Sequence, residues 1–311
     1  MGIKYLKHNQ IDLTKWNLCI ENSFNGNTYA YSWYLDIVAE NWNALIEGDY
    51  VRVMPLLTNR KYGIDYIYQP YFTQQLGVYS TDKLSPAKVL SFIRNIPAYY
   101  KYANINLNIH NKIDSKEYKI YSKVNIELDL ISPYKILRSN YSENTIRNID
   151  KSIKNGISIS ESVTVNEIIG LFKDNIGNPI MKLKDDNYNT LRRIISFAQR
   201  NGNGKIMGAY TKENNLCSAV FFLKSFGKTI NLISVSTEEG KRDNAMFQIF
   251  DTFIKANSGR NHILNFNGSD IESISRFYKG FGGTVCYYQT LKRNTLRWYV
   301  KFLMSSNWLI P

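Results

Sequence analysis

The sequence predicts an α/β (α+β) protein of two similar domains, each a twisted mixed sheet flanked by helices. Three observations point there. The chain has 311 residues, about twice the usual domain length of roughly 100–150. Apolar residues make up 44% and charged residues 21%, with only seven prolines, a composition that supplies a packed core and argues against disorder. Finally, one order of hydrophobic patterns, strands then a helix then further strands, is read twice along the chain.

The first block starts at residues 49–57 and 64–72, two stretches rich in Val, Ile and Tyr that read as strands. A helix is expected at about 85–102, with Pro86 in its first turn, where proline is tolerated. Ile105, Leu107 and Ile109 alternate with asparagines, the two-residue period of a half-buried strand. Val124, Ile126, Leu128 and Leu130 repeat it. In the second block, residues 205–210, 217–224 and 229–235 read as strands, 244–257 as a helix and 262–266 as a strand. A helix after Gly268 and a strand near 285–292 complete it. The expected domains are 1–135 and 136–295, with a tail at 296–311 that packs on the body.

A helix-rich bridge lies between the blocks. Over 142–155, Ile146, Ile149 and Ile153 share one side, while Arg147, Lys151 and Lys154 form a second stripe. That stripe fits either a solvated basic face or a wall for an anionic substrate. Gly156 is a natural helix stop. Residues 182–201 predict another helix, closed by the turn Asn-Gly-Asn-Gly, which lacks the Lys-Ser/Thr pair of a phosphate-binding loop.

Net charge is +13 and uneven: residues 1–135 hold 15 Lys and Arg against 12 Asp and Glu, residues 136–311 hold 24 against 14. A positive field draws anions such as phosphorylated ligands, nucleic acid or an acidic membrane face. Cys19, Cys217 and Cys286 are scattered, with no paired spacing for zinc or a disulfide framework. The first residues carry no apolar leader run and no stretch reaches the roughly 18 apolar residues of a membrane span. A cytoplasmic setting is therefore expected. The tail, with Trp298 and Trp308 beside Arg297 and Lys301, leaves peripheral membrane contact open. Three dispersed histidines give no Ser/His/Asp arrangement.

Residues 264–283 are the most informative. A strand ends at Phe266, Asn267 and Gly268 make a turn, and Ser269 stands three residues before Glu272, the capping-box spacing. A strand end feeding a helix start collects free backbone N–H groups that favour negative charge. Phe-x-Gly-Ser (Phe266, Gly268, Ser269), followed by Arg276, Phe277, Phe281 and Gly282, resembles the C-terminal signature of FemAB-type transferases, a branch of the GNAT superfamily. Upstream, Arg147, Lys151 and Gly156 are similar to the basic helix of that family. The resemblance covers the second half of the chain well and the first half weakly.

The resemblance implies tandem GNAT-like domains that move an acyl or aminoacyl group to an amine. The donor would be acyl-coenzyme A or aminoacyl-tRNA, used as a substrate rather than held as a tight cofactor. An anionic or nucleotide-linked acceptor such as a cell-wall or surface-polysaccharide precursor fits it, with tRNA as a partner. It also implies Tyr278 as general acid toward the leaving group, though a core position on the helix suits that tyrosine as well. Arg276 flanks it as a phosphate contact. Gly240, Lys241 and Arg242 occupy the turn where GNAT enzymes cradle a pyrophosphate. This chain has one glycine there and two acids, Glu238 and Glu239, so that cradle is incomplete. No long helical arm of the tRNA-using members is visible. A non-catalytic module binding an anionic ligand or nucleic acid is the competing expectation.

Overall fold

The computed structural model describes residues 2–268 and 270–298. The chain forms two compact units, Met1–Lys123 with the segment from Tyr287 onward, and Val124–Cys286. The expected boundary between 135 and 136 lies inside the second unit. The strand expected at 285–292, assigned from sequence to the second domain, has its C-terminal part in the first. There Thr290–Asn294 pair antiparallel with residues 102–106, and Leu291 is buried in the first unit's core. Partners remote in sequence decide this, and no local pattern reports them.

The first unit opens with β1 (Ile3–Leu6), α1 (Leu13–Asn22) and α2 (Ser32–Val38), elements the sequence pattern did not predict. Asp12 caps α1 by accepting from the N–H groups of Thr14 and Lys15. Then come β2 (Asn43–Glu47), β3 (Arg52–Leu56), β4 (Thr58–Lys61), β5 (Ile64–Ile67) and β6 (Tyr79–Ser80). Helix α3 (Pro86–Arg94), β7 (Tyr102–Asn106) and the first part of β8 (Lys119–Asp129) follow. Strands β1, β2, β3 and β6 make an antiparallel sheet. Strand β4 pairs antiparallel with β5, and β5 pairs parallel with β7. Helix α3 starts as expected, with Ser85 as cap and Pro86 in the first turn. It stops at Arg94 rather than near 102, because Pro97 has no N–H to continue the ladder and biases its predecessor away from helix. Its face of Val89, Phe92 and Ile93 packs against Leu45, Met54 and Leu107.

In the second unit, α4 (Tyr134–Ser139), α5 (Glu143–Lys154), β9 (Ser158–Ser160), α6 (Val165–Phe172) and α7 (Asp185–Arg200) precede the main strands. These are β10 (Gly204–Tyr210), β11 (Leu216–Ser225) and β12 (Lys228–Ser236). After them come α8 (Glu238–Arg242), α9 (Ala245–Asn257), β13 (Ile263–Asn265), α10 (Glu272–Lys279) and β14 (Thr284–Asn294). The sheet order is β9-β10-β11-β12-β13-β8, with only the β12–β13 pair parallel. Apart from the domain boundaries, this is the α/β class expected. Helix α5 turns a different face inward from the one predicted: Thr145, Ile149 and Ser152 are buried and Ile153 is 56% exposed. The reason is a polar contact, the Ser152 hydroxyl donating to Gln248 Oε1 on α9 at 2.8 Å. That bond fixes the helix rotation against the simple apolar stripe.

Many tyrosines are core residues. Tyr29, Tyr34, Tyr79 and Tyr141 are at most 5% exposed, and burial, as the main cause, raises the pKa of each phenol. A raised folded pKa leaves the phenols protonated in both states below about pH 10. Above that, only the unfolded chain ionises. Their contribution to stability is thus complete below pH 10 and is lost as pH rises further. Urea unfolding should show stability falling by roughly 1 kcal/mol per phenol between pH 10 and 11, with little change from these groups between pH 7 and 9.

Candidate active site

The site starts where two parallel strands part. Strands β12 and β13 pair over only three positions, Lys228↔Ile263, Thr229↔Leu264 and Ile230↔Asn265. Strand β12 then runs on to Ser236, while the chain after Asn265 follows β8 instead. Phe266 donates its N–H to Ile126 O at 2.9 Å. Gly268 lies so close to the backbone of Val124 and Asn125 that a Cβ there would overlap Val124 O and Asn125 Cα. Asn267 between them takes a left-handed φ of 59°, which asparagine tolerates better than most residues. A register shift on β11 at Phe221/Phe222 leaves Leu232 of β12 unpaired in the ladder, and such bulges bend a strand. Residues 231–236 are thus left without β13 as a neighbour, and a strand edge of this kind presents backbone hydrogen-bonding groups to whatever enters the gap.

Into that gap projects α10. Its residues Ser273, Ile274, Phe277 and Tyr278 line a cavity of about 310 Å³, together with Ser234 and Ser236 of β12, Gly240 and Lys241 of α8, and Asn244, Met246 and Phe247 at the start of α9. The volume is at the small end for a ligand pocket. Tyr278 is 6% exposed. Its ring stacks on Phe266 at 4.7 Å between centroids and meets Phe250 edge-on at 5.8 Å, so its position is set by packing. Asn231 Nδ2 donates to the Tyr278 hydroxyl at 3.0 Å and to Phe266 O at 3.4 Å. The phenol oxygen therefore accepts one bond within the protein, and its hydroxyl can also donate. Burial raises the Tyr278 pKa, with the Ser234 and Asn231 hydrogen bonds pulling the other way. At neutral pH the group is a neutral phenol, fit to give a proton and unfit to take one.

The turn before α9 is electrostatically self-contained. The Gly240 N–H donates to Thr237 Oγ1 at 3.1 Å, and the Lys241 N–H to Thr237 O at 3.0 Å. Lys241 Nζ sits 2.6 Å from Glu238, and Arg242 lies 3.3 Å from Glu239 and 3.7 Å from Asp243. Gly240 also has a packing role, because a Cβ there would overlap Cys217 O of β11. The α8 turn thus carries equal numbers of acids and bases, and two of its amides are already bonded.

The cavity brings Tyr278, Gly240 and Lys241 together. The remaining sequence candidates among the described residues do not line it. Arg147 is exposed and bonds Asn144 on its own helix, and Lys151 is exposed on α5. Arg276 pairs with Glu272 at 2.7 Å and lines a separate depression with Val124, Asp270, Ser275 and Lys279 on the other face of α10. Asn267 and Gly268 shape the turn that opens the gap. Ser269 and residues 299–311 lie outside the described residues. The N-cap of α10 is Ile271, without a side-chain cap, so the helix starts later than the Ser269–Glu272 spacing suggested. Asn231, Ser234 and Phe247 escaped the sequence reading. The one signal was Asn231, an amide inside the strand run Thr-Ile-Asn-Leu-Ile-Ser-Val.

Charge is also distributed differently by unit than by sequence half. Val124–Cys286 carries 21 Lys and Arg against 16 Asp and Glu, and the other unit 18 against 10. The larger excess lies outside the unit that holds this cavity. Among the described residues, no group of His, Cys, Asp and Glu has the makings of a metal site, and no helix is long and apolar enough to cross a membrane.

No protein-family model matches the chain, and no curated protein matches it in sequence. Its fold, in contrast, is similar to solved structures over nearly its whole length. FemX aligns with a TM-score of 0.66 at 11% identity, covering 98% of this chain and 100% of that one. The C-terminal domain of a putative lysylphosphatidylglycerol synthetase from Agrobacterium fabrum aligns at 0.57 and 7% identity, covering 96% of both chains. L-PGS from Bacillus licheniformis aligns at 0.53 and 10% identity, covering 96% and 98%. The chain thus shares the two-domain α/β fold seen in the FemX structure.

Because the atoms facing Gly268 are backbone, they have little freedom to retreat. Gly268→Ala should destabilise the protein by about 1–3 kcal/mol, read as a lower urea midpoint. The same change at Gly259, where nothing lies within 4 Å although φ is +73°, should cost only the backbone strain of roughly 1 kcal/mol.

Proposed function

We propose that this protein is an acyl- or aminoacyl-transferase that moves an acyl group from an activated ester or thioester to an amine. The observation that carries the reading is the Tyr278 hydroxyl, held by Asn231 at the wall of a cavity opened by parting strands. The FemAB-like fold supports it as an analogy. Direct acyl transfer needs no covalent enzyme intermediate, only positioning, stabilisation of the developing oxyanion and a proton for the leaving group. The amine nitrogen attacks the carbonyl carbon and a C–N bond forms. The C–O or C–S bond to the donor then breaks, and the leaving oxygen or sulfur takes the Tyr278 proton. The nitrogen's surplus proton passes to water, and Tyr278 is reprotonated from solvent. The free edge of β12 at 231–236 suits an extended donor arm that carries amides. Because the α8 cations are paired with their own acids, the reading favours a donor whose phosphates are held elsewhere than at that turn. The acceptor fits best as an amine on a cell-envelope precursor, as the resemblance of residues 266–282 to FemAB-type transferases implies.

Thermal unfolding with acetyl-coenzyme A, longer acyl-coenzyme A species and aminoacyl-tRNA tests donor class. A true donor at about 100 times its Kd adds roughly 2.7 kcal/mol of stability. With the responding donor, Tyr278→Phe should lower kcat by at least about 100-fold. It should cost about 1–3 kcal/mol of stability, because buried Asn231 Nδ2 loses the nearer of its two acceptors. Undiminished turnover by that variant, or no stabilisation by any donor, would overturn the reading.

A further inference from the structure

A second depression, in the first unit, has a different chemistry. It encloses about 500 Å³ and is built around three phenols, Tyr5, Tyr99 and Tyr100. Tyr99 packs on Tyr100 with centroids 4.4 Å apart and meets Tyr5 edge-on at 6.4 Å, yet it is 50% exposed. A half-exposed aromatic residue thus lines the groove. The hydroxyls form a chain: Tyr99 donates to Tyr5 at 2.9 Å, Tyr5 and Tyr100 share a bond of 3.1 Å, and Asn43 Nδ2 donates to Tyr100 at 3.1 Å. Three phenol protons serve two bonds between phenols. Whichever way the Tyr5–Tyr100 bond is oriented, one of the three O–H groups has no phenol partner in this chain and can donate to another acceptor.

The surroundings supply both kinds of hydrogen-bonding group. Asn43 spends both amide protons, on Tyr100 and on Thr58 Oγ1 at 3.3 Å, which leaves its Oδ1 as an acceptor. Asn59 spends its Oδ1 on the Arg60 N–H at 2.7 Å, which leaves its Nδ2 as a donor. The charges on the rim cancel: Lys7 and Arg60 stand against Glu40 and Asp65, with Arg60 Nε 3.6 Å from Asp65. A phosphate or carboxylate ligand would meet no net positive charge here. An apolar ligand would strand the amides and the free phenol proton without partners, at a cost of about 1–3 kcal/mol for each group desolvated. What fits is a neutral molecule whose groups donate and accept at once, with a flat C–H face to lie on a tyrosine ring.

We propose that this groove binds a neutral sugar ring, with Tyr99 as its stacking platform and Asn43, Asn59 and the phenol chain as its hydroxyl contacts. The inference is independent of the reading given for Tyr278 and does not require catalysis. The test is isothermal titration of the full chain with maltotriose, cellotriose and chitotriose at millimolar concentrations, with glucose 6-phosphate as a charged comparison. At least one trisaccharide should bind. Tyr99→Ala and Asn59→Ala should each weaken that binding by about tenfold, in line with the loss of one aromatic platform or one hydrogen bond. Both positions are exposed enough for the fold to survive, and Asn59→Ala decides the matter if Tyr99→Ala alters the melting temperature. No heat from any trisaccharide, binding that both variants retain in full, or binding of glucose 6-phosphate alone would each overturn the proposal.

Discussion

The candidate site depends on the chain at residues 266–268 leaving β12 for β8. Three paired positions join β12 to β13, and then the Phe266 N–H goes to Ile126 while Gly268 lies flush against the Val124–Asn125 backbone. A side chain at 268 would stand between those two backbones. With the close approach made, the far part of β12 has lost its parallel neighbour, and the space so released is the cavity lined by Ser234, Ser236 and Tyr278. A parallel pair that stayed zipped would fill this space with its own ladder and leave no place for a ligand.

The aromatic cluster keeps the opening from collapsing. Phe266, Phe250, Phe277, Phe281 and Tyr278 hold one another in edge-on and stacked contacts, and large rigid rings in a dense core have few alternative arrangements. Asn231 then ties strand to helix by donating to both Phe266 O and the Tyr278 hydroxyl. Packing places the ring and one amide sets the phenol's hydrogen-bonding role. Burial keeps that oxygen protonated.

The two depressions described here contrast in a way that follows from their neighbours. The one beside Tyr278 has walls of Met246, Phe247, Ile274 and Phe277, and its single cation is neutralised on its own helix. The one beside Tyr99 is walled by amides and balanced charges over a tyrosine platform. Tyrosine serves both, because a phenol joins a large apolar body to a polar tip. In the first the tyrosine is buried and lines the cavity; in the second the ring is half exposed.

Much of this was legible in the residues alone. The alternation in β7 and β8, the starts of α3 and α5, and the apolar runs of β10, β11 and β12 are local signals, and local signals are written in sequence. The rotation of α5 was not legible, because it turns on Ser152 meeting Gln248 on another helix, nor was the neutrality of the α8 turn, which depends on which acid each cation reaches. The end of α3 at Arg94 and the allegiance of the last strand also waited for tertiary structure. Periodicity reports which face of an element is apolar. It does not report which partner claims that face or which amide points into a gap, because those choices are made by residues brought together from distant parts of the chain.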